Sequence, residues 1–168
     1  MAPRSIALPQ SAIARLDLTP LQPLRSLSAA ERFACDGQLH LGLDWPRDSD
    51  DPRELSEVPE LRLWHLRADA ACPWLPLLLE RGSGQLVRYV AMLVLHRFTP
   101  SEGLQLHPNA LELWLTQRLM LLDDWCRSNG LRGRRRMELL AAALGLDIDQ
   151  SFWDLLDLHP GQSQADSA

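Results

Sequence analysis

Apolar and polar positions alternate over short spans in the first third of the chain, and the period changes often. Ile6 and Leu8 flank a small residue and predict a brief opening strand, followed by a short helix from Pro9 to Leu16. Thr19-Pro20 joins a capping hydroxyl to a Pro in the first helical turn, so Leu24, Leu27 and Ala30 form a short apolar helical face. From Gln38 to Trp45, Leu39, Leu41, Leu43 and Trp45 alternate with His40, Gly42 and Asp44, the pattern of a half-buried strand. Asp36-Gly37 before it reads as a hairpin turn, which predicts a partner strand near Arg32 to Cys35. Pro52 and Pro59 bracket a short turn. Beyond them, Leu61, Leu63, His65 and Arg67 oppose Arg62, Trp64, Leu66 and Ala68 in a predicted second strand, apolar on both faces.

The second half reads as more helical. Pro73 starts a short helix through Glu80, limited by Pro76, and Gly82-Ser83-Gly84 breaks the chain. Gln85 to Phe98 is nearly continuous in apolar content; it predicts a helical beginning that passes into a strand by Leu93. Pro108 opens the longest helix, whose apolar face runs through Leu111, Leu115, Leu119, Leu122 and Cys126 to the Asn129-Gly130 stop. A further helix spans Arg134 to Leu144, and Asp149 caps a last one carrying Phe152, Trp153, Leu155 and Leu156. The predicted fold is α+β: a small sheet of antiparallel or mixed strands with C-terminal helices packed on one face. Residues 1–158 form a single domain in this reading, and 159–168 a disordered tail.

Composition narrows the classes of function. At 46% apolar residues the chain can fill a core, and no run reaches the ~18–20 apolar residues of a membrane span. No signal-peptide or import-leader pattern opens the chain, so a cytoplasmic location is expected. A net charge of −5 argues against nucleic acid as partner, because such affinity rests on neutralising phosphates. All 17 basic residues are Arg, each a planar fork suited to carboxylates and aromatic faces. Cys35, Cys72 and Cys126 lie far apart and read as buried, small apolar residues. No cofactor or metal is expected.

Candidate chemistry is sparse. His65 and Asp69, with Arg67 between them on one strand face, would form a polar cluster with acid–base capacity, although an ion-paired sheet face is the simpler reading. His96 and His107 flank a loop without further ligands at a recognised spacing. Gly82-x-Gly84 lacks the remaining elements of a phosphate loop. Arg132, Arg134, Arg135 and Arg136 crowd the start of a helix, where the dipole disfavours cations and invites a carboxylate. The stretch from Asp51 to Glu80 stands out most: four Pro stiffen a segment that carries Trp64 and Trp74 among Arg and carboxylate residues. Arg53, Glu54, Glu57, Arg62, Trp64, Arg67 and Trp74 are therefore expected to form a docking face, with the indoles as anchors and the charges as a rim.

The run from Asp51 to Glu60, followed by Arg62-Leu63-Trp64, resembles the signature of the chlororespiratory reduction six family. Pro73-Trp74-Leu75-Pro76, Arg88-Tyr89, Ala91-Met92-Leu93-Val94 and the helix from Pro108 to Leu122 continue the likeness, which covers about Leu39 to Leu156. The resemblance implies an assembly factor for the photosynthetic NAD(P)H dehydrogenase-like complex. Such a factor binds the iron–sulfur subunit I of the peripheral arm and is absent from the finished complex. It further implies a non-catalytic protein of cyanobacterial type, in the cytoplasm and at most peripheral at the thylakoid. The alternative is a small hydrolase or modifying enzyme using His65 and Asp69.

Overall fold

A computed structural model describes residues 4–159. The elements in chain order begin with β1 (Ser5–Leu8), α1 (Gln10–Ala14), a 3₁₀ turn (Thr19–Leu21), α2 (Gln22–Arg25), α3 (Ala29–Ala34) and β2 (His40–Leu43). A second 3₁₀ turn (Leu55–Glu57) leads to α4 (Pro59–Ala71), α5 (Leu75–Leu78) and α6 (Gln85–Ala91). The hairpin strands β3 (His96–Thr99) and β4 (Gly103–Leu106) precede α7 (Pro108–Ser128), α8 (Arg134–Ala143) and α9 (Gln150–Leu158). The class is α+β. Its strands form two separate two-stranded sheets, β1 with β2 in parallel and β3 with β4 antiparallel.

The parallel pair brings the first strand beside the strand expected around Leu41, with Ile6 opposite Leu41 and Leu8 opposite Leu43. Leu8, Leu39 and Leu41 enter the core while His40 faces out, as the alternation requires. The expected partner strand at Arg32 to Cys35 does not form. Ser28 and Glu31 make a reciprocal capping box, each side chain bonded to the other residue's backbone N–H, and the chain is helical there. Gly37, with φ of 68°, releases the chain from α3 toward β2 and closes no hairpin.

The larger correction concerns residues 61–68, which are helix and not strand. Pro59 occupies the first turn of α4, and Leu61, Trp64, His65, Ala68 and Asp69 are buried at helical spacing. Leu63 and Leu66 are exposed on the opposite side, and these two outward Leu residues give the sequence its false alternation. The segment after α6 is also adjusted: the strand starts at His96, and the loop expected between His96 and His107 contains β4. α7 begins at its Pro and α9 after its Asp149 cap, while α8 starts at Arg134 after Gly133 without a side-chain cap. One cluster of buried residues joins Leu8 and Ile13, Trp64, Leu75 to Leu79, Tyr89, the inner face of α7, and Trp153. Except for His159, the tail expected to be disordered lies outside the described residues.

Candidate functional site

The expected docking face comes apart when its residues are followed individually. Trp64 is fully buried and its indole N–H donates to the Asp17 carbonyl at 2.8 Å. Trp74 is 5% exposed, with the Arg32 guanidinium 4.5 Å above its ring. Both indoles are core residues, so neither can anchor a partner in this conformation. The reason is local: a helix at 59–71 turns position 64 inward, and Pro73 and Pro76 fold Trp74 under α3.

The two Glu residues are also committed internally. Glu57 accepts from the Glu54 backbone N–H at 2.8 Å, and Glu54 accepts from Ser56 N–H at 2.5 Å and from Arg88 Nε at 3.0 Å. Burial pushes the Glu54 carboxyl up, but the Ser56 bond and the Arg88 charge outweigh it and hold it below the usual carboxylate range. Beneath this turn Ser56 is bonded to His96 at 3.0 Å, and Arg62 reaches within 3.5 Å of the same ring. Arg53 forks onto Asp51 at the surface, at 3.0 to 3.3 Å, and these bonds hold the Asp51 carboxyl down to about 2. Arg67 is exposed.

What remains accessible is the outer side of α4. Leu63 and Leu66 are 53% and 47% exposed, next to Arg67, with Glu60 at the start of the same helix and Arg53 close enough to feel its charge. Positions 60, 63 and 67 fall on one helical side over ~10 Å of rise. Sequence reasoning passed over Leu63 and Leu66 as site residues because they were assigned to a half-buried strand. A 3.6-residue count from Pro59 would have shown them outward.

His65 and Asp69 share the inner face of α4 without contacting each other through a hydrogen bond. His65 is 2% exposed; its Nδ1–H donates to the Leu61 carbonyl at 2.6 Å, and its ring lies edge-on to Trp64 and Tyr89. Burial lowers its pKa to about 4, so the imidazole is neutral and Nε2 carries a lone pair. Asp69 is paired with Arg118 and accepts from the Tyr89 hydroxyl at 2.8 Å. Burial raises its pKa against the opposing Arg118 charge. Arg67, expected beside them, lies on the other side of the helix. The arrangement is a satisfied buried ion pair with a separate neutral His.

His65 also lines a cleft of about 240 Å³, walled by β2 on one side and by Leu55, Gln85, Arg88 and Tyr89 on the other. The Arg-rich start of α8 finds its carboxylates within the chain: Arg134 bonds Asp123 and Asp157 and covers the Trp153 ring at 4.9 Å. Arg136 stacks over Phe33 at 3.8 Å. His107 caps α7 by accepting from Ala110 N–H at 3.4 Å. Cys35, Cys72 and Cys126 are free and buried. Among the described residues no group of three or more His, Cys, Asp or Glu is placed to hold a metal ion, and no helix is long and apolar enough to cross a membrane.

No solved structure matches the chain. The Chlororespiratory reduction 6 family profile matches residues 8–155, from the end of β1 into α9. With both the 3₁₀ turn that opens α4 and the long helix α7 inside that match, the protein belongs to the Chlororespiratory reduction 6 family, a family associated with assembly of the NAD(P)H dehydrogenase-like complex.

Proposed function

We propose that this protein is a non-catalytic assembly factor that binds the iron–sulfur subunit I of the peripheral arm before that subunit docks, and leaves when its permanent neighbours replace it. The observation that carries the reading is the family match over residues 8–155, joined by an outer α4 face that offers apolar and cationic groups to a partner. Leu63 and Leu66 supply contact area there, while Arg67 and Arg53 supply a charged rim. Arg62, half-buried against His96, supports this face from beneath. A cyanobacterial cytoplasm, with contact at the thylakoid through the partner alone, suits such a role.

The enzyme reading with His65 and Asp69 has less support. A general base needs its partner within hydrogen-bond reach, yet Asp69 is taken up by Arg118 and Tyr89 and His65 Nδ1 by Leu61.

The test is a double variant, Leu63→Glu with Arg67→Glu, on a surface that leaves the core intact. Its thermal unfolding should match the wild type, while capture of subunit I from a photosynthetic cell extract should fall at least about tenfold, as expected for losing central contacts. Undiminished capture by a folded double variant would reject this face. Failure of the wild type itself to capture subunit I would reject the partner.

A further inference from the structure

α7 is apolar on more sides than the core uses. Its inner side, with Leu111, Leu115, Leu119, Leu122 and Cys126, is buried. On the side turned away, where a surface helix ordinarily carries polar residues, Leu113, Met120 and Leu121 stand 75%, 48% and 41% exposed. The chain has little left with which to cover this stripe. Outside the described residues lie Met1 to Pro3 and Pro160 to Ala168, and the second run holds no apolar side chain larger than Pro.

Two observations identify the occupant as a second copy. The first is spacing. Counted from Gln117, Leu113 and Leu121 lie four residues away on either side, and Trp114 and Met120 lie three. A two-fold interface has this requirement: what residue i meets, j must meet in return. In an antiparallel pair of α7 helices centred on Gln117, Leu113 faces the partner's Leu121 and Trp114 the partner's Met120. Gln117, which is exposed, faces its own copy, and its amide can donate and accept across the axis.

The second observation is charge. α7 has no acidic residue in its first turn, so nothing on the helix offsets the positive end of its dipole. Antiparallel pairing lays Asp124 over the partner's Ala110, at that end. Asp123 is held by Arg127 and Arg134, whereas Asp124 has no ion-pair partner among the described residues. A parallel pair would set Asp124 against its own copy, so the charge selects the antiparallel arrangement.

We propose that two copies of this protein pair through α7, antiparallel about a two-fold axis at Gln117. From Ala110 to Asp124 the contact runs about 21 Å. It covers roughly 400 Å² per protomer, half the ~800 Å² of a standard interface, so the dimer is weak and concentration-dependent. The pairing uses none of Leu63, Leu66 or Arg67, and it stands whether or not subunit I is the partner.

Sedimentation velocity on the full chain, from about 10 μM to 1 mM, should show monomer passing into dimer. Leu113→Glu with Leu121→Glu should weaken the dimer at least about tenfold and leave thermal unfolding unchanged, since both positions are exposed. The register is read with a short bismaleimide, to which the three buried native thiols offer little access. Leu113→Cys mixed with Leu121→Cys should link across protomers. Leu113→Cys alone should link poorly, because its two copies stand about 12 Å apart along the axis. If the double Glu variant unfolds early, the Cys variants decide, each changing one exposed residue. A chain that stays monomeric throughout overturns the proposal, as does a dimer that a folded double Glu variant preserves. Leu113→Cys linking to itself in preference to Leu121→Cys would mean another register and also overturn it. So would a monomer whose stripe carries it onto floated lipid vesicles, which would make the occupant a membrane surface.

Discussion

His65 has given up water for the edges of Trp64 and Tyr89, with ring centroids 5.1 and 5.5 Å away. Its pKa falls from 6.5 to about 4 on folding. The unfolded chain therefore binds the proton first as pH drops, so the stability contribution is complete above about 6.5 and is lost progressively down to about 4. At ~1.4 kcal/mol for each pH unit between the two values, the loss is about 3 kcal/mol. Because surface carboxylates also titrate in this range, the informative quantity is a difference. Urea midpoints of His65→Phe should decline less than those of the wild type between pH 6.5 and 4, and parallel curves would contradict a buried neutral ring. Asp69 poses the opposite problem, a buried charge that persists because Arg118 is beside it. Arg118→Met should cost about 3–5 kcal/mol by stranding that charge. Adding Asp69→Asn, which still accepts from Tyr89, should recover most of the loss in the same unfolding assay.

Helix α4 shows why some elements were legible in the sequence and others were not. The long helix α7 and the short α9 carry explicit signals, Pro at the first turn of one and an Asp149 cap at the start of the other, and both form where expected. α4 has Pro59 at its start, but Leu63 and Leu66 on its wet side fill the gaps in the helical stripe and imitate a period of two. α3 was missed for another reason: its Ser28–Glu31 box is a clear start signal, and Asp36-Gly37 drew the reading toward a hairpin. The join between α7 and α8 depends on contact that no local pattern announces. Gly133 precedes α8 where a Cβ would fall 2.5 Å from Cys126 Sγ and 3.3 Å from the Met137 methyl. Since Cys126 is itself buried against that backbone, Gly133→Ala should force the two helices apart and cost about 1–3 kcal/mol, read as a lowered urea midpoint with an unchanged helical circular-dichroism signal at low urea.

For the molecule as a whole, family and fold class were readable from sequence, whereas which side chains of the segment from Asp51 to Glu80 face outward was only partly so. Arg53 and Arg67 do lie at the surface. Trp64 and Trp74 do not, because an indole in a Pro-rich segment suits a core and an interface equally, and only the tertiary path of the chain decides between them. Glu54 and Glu57, expected on the rim, instead hold the turn that starts α4. The charged residues of this segment are thus divided between building the scaffold and facing outward, and composition alone does not reveal the division.

Burial also governs the sulfur chemistry. Loss of hydration lifts the thiols of Cys35 and Cys72 above their ordinary range and that of Cys126 to about 11. At neutral pH almost none of this sulfur is thiolate, the form that ligates iron, attacks disulfides and begins the oxidation ladder. Thiols kept protonated in this way neither capture metal readily nor enter oxidation at neutral pH, so the three cysteines stay as packing residues in iron- or peroxide-bearing surroundings.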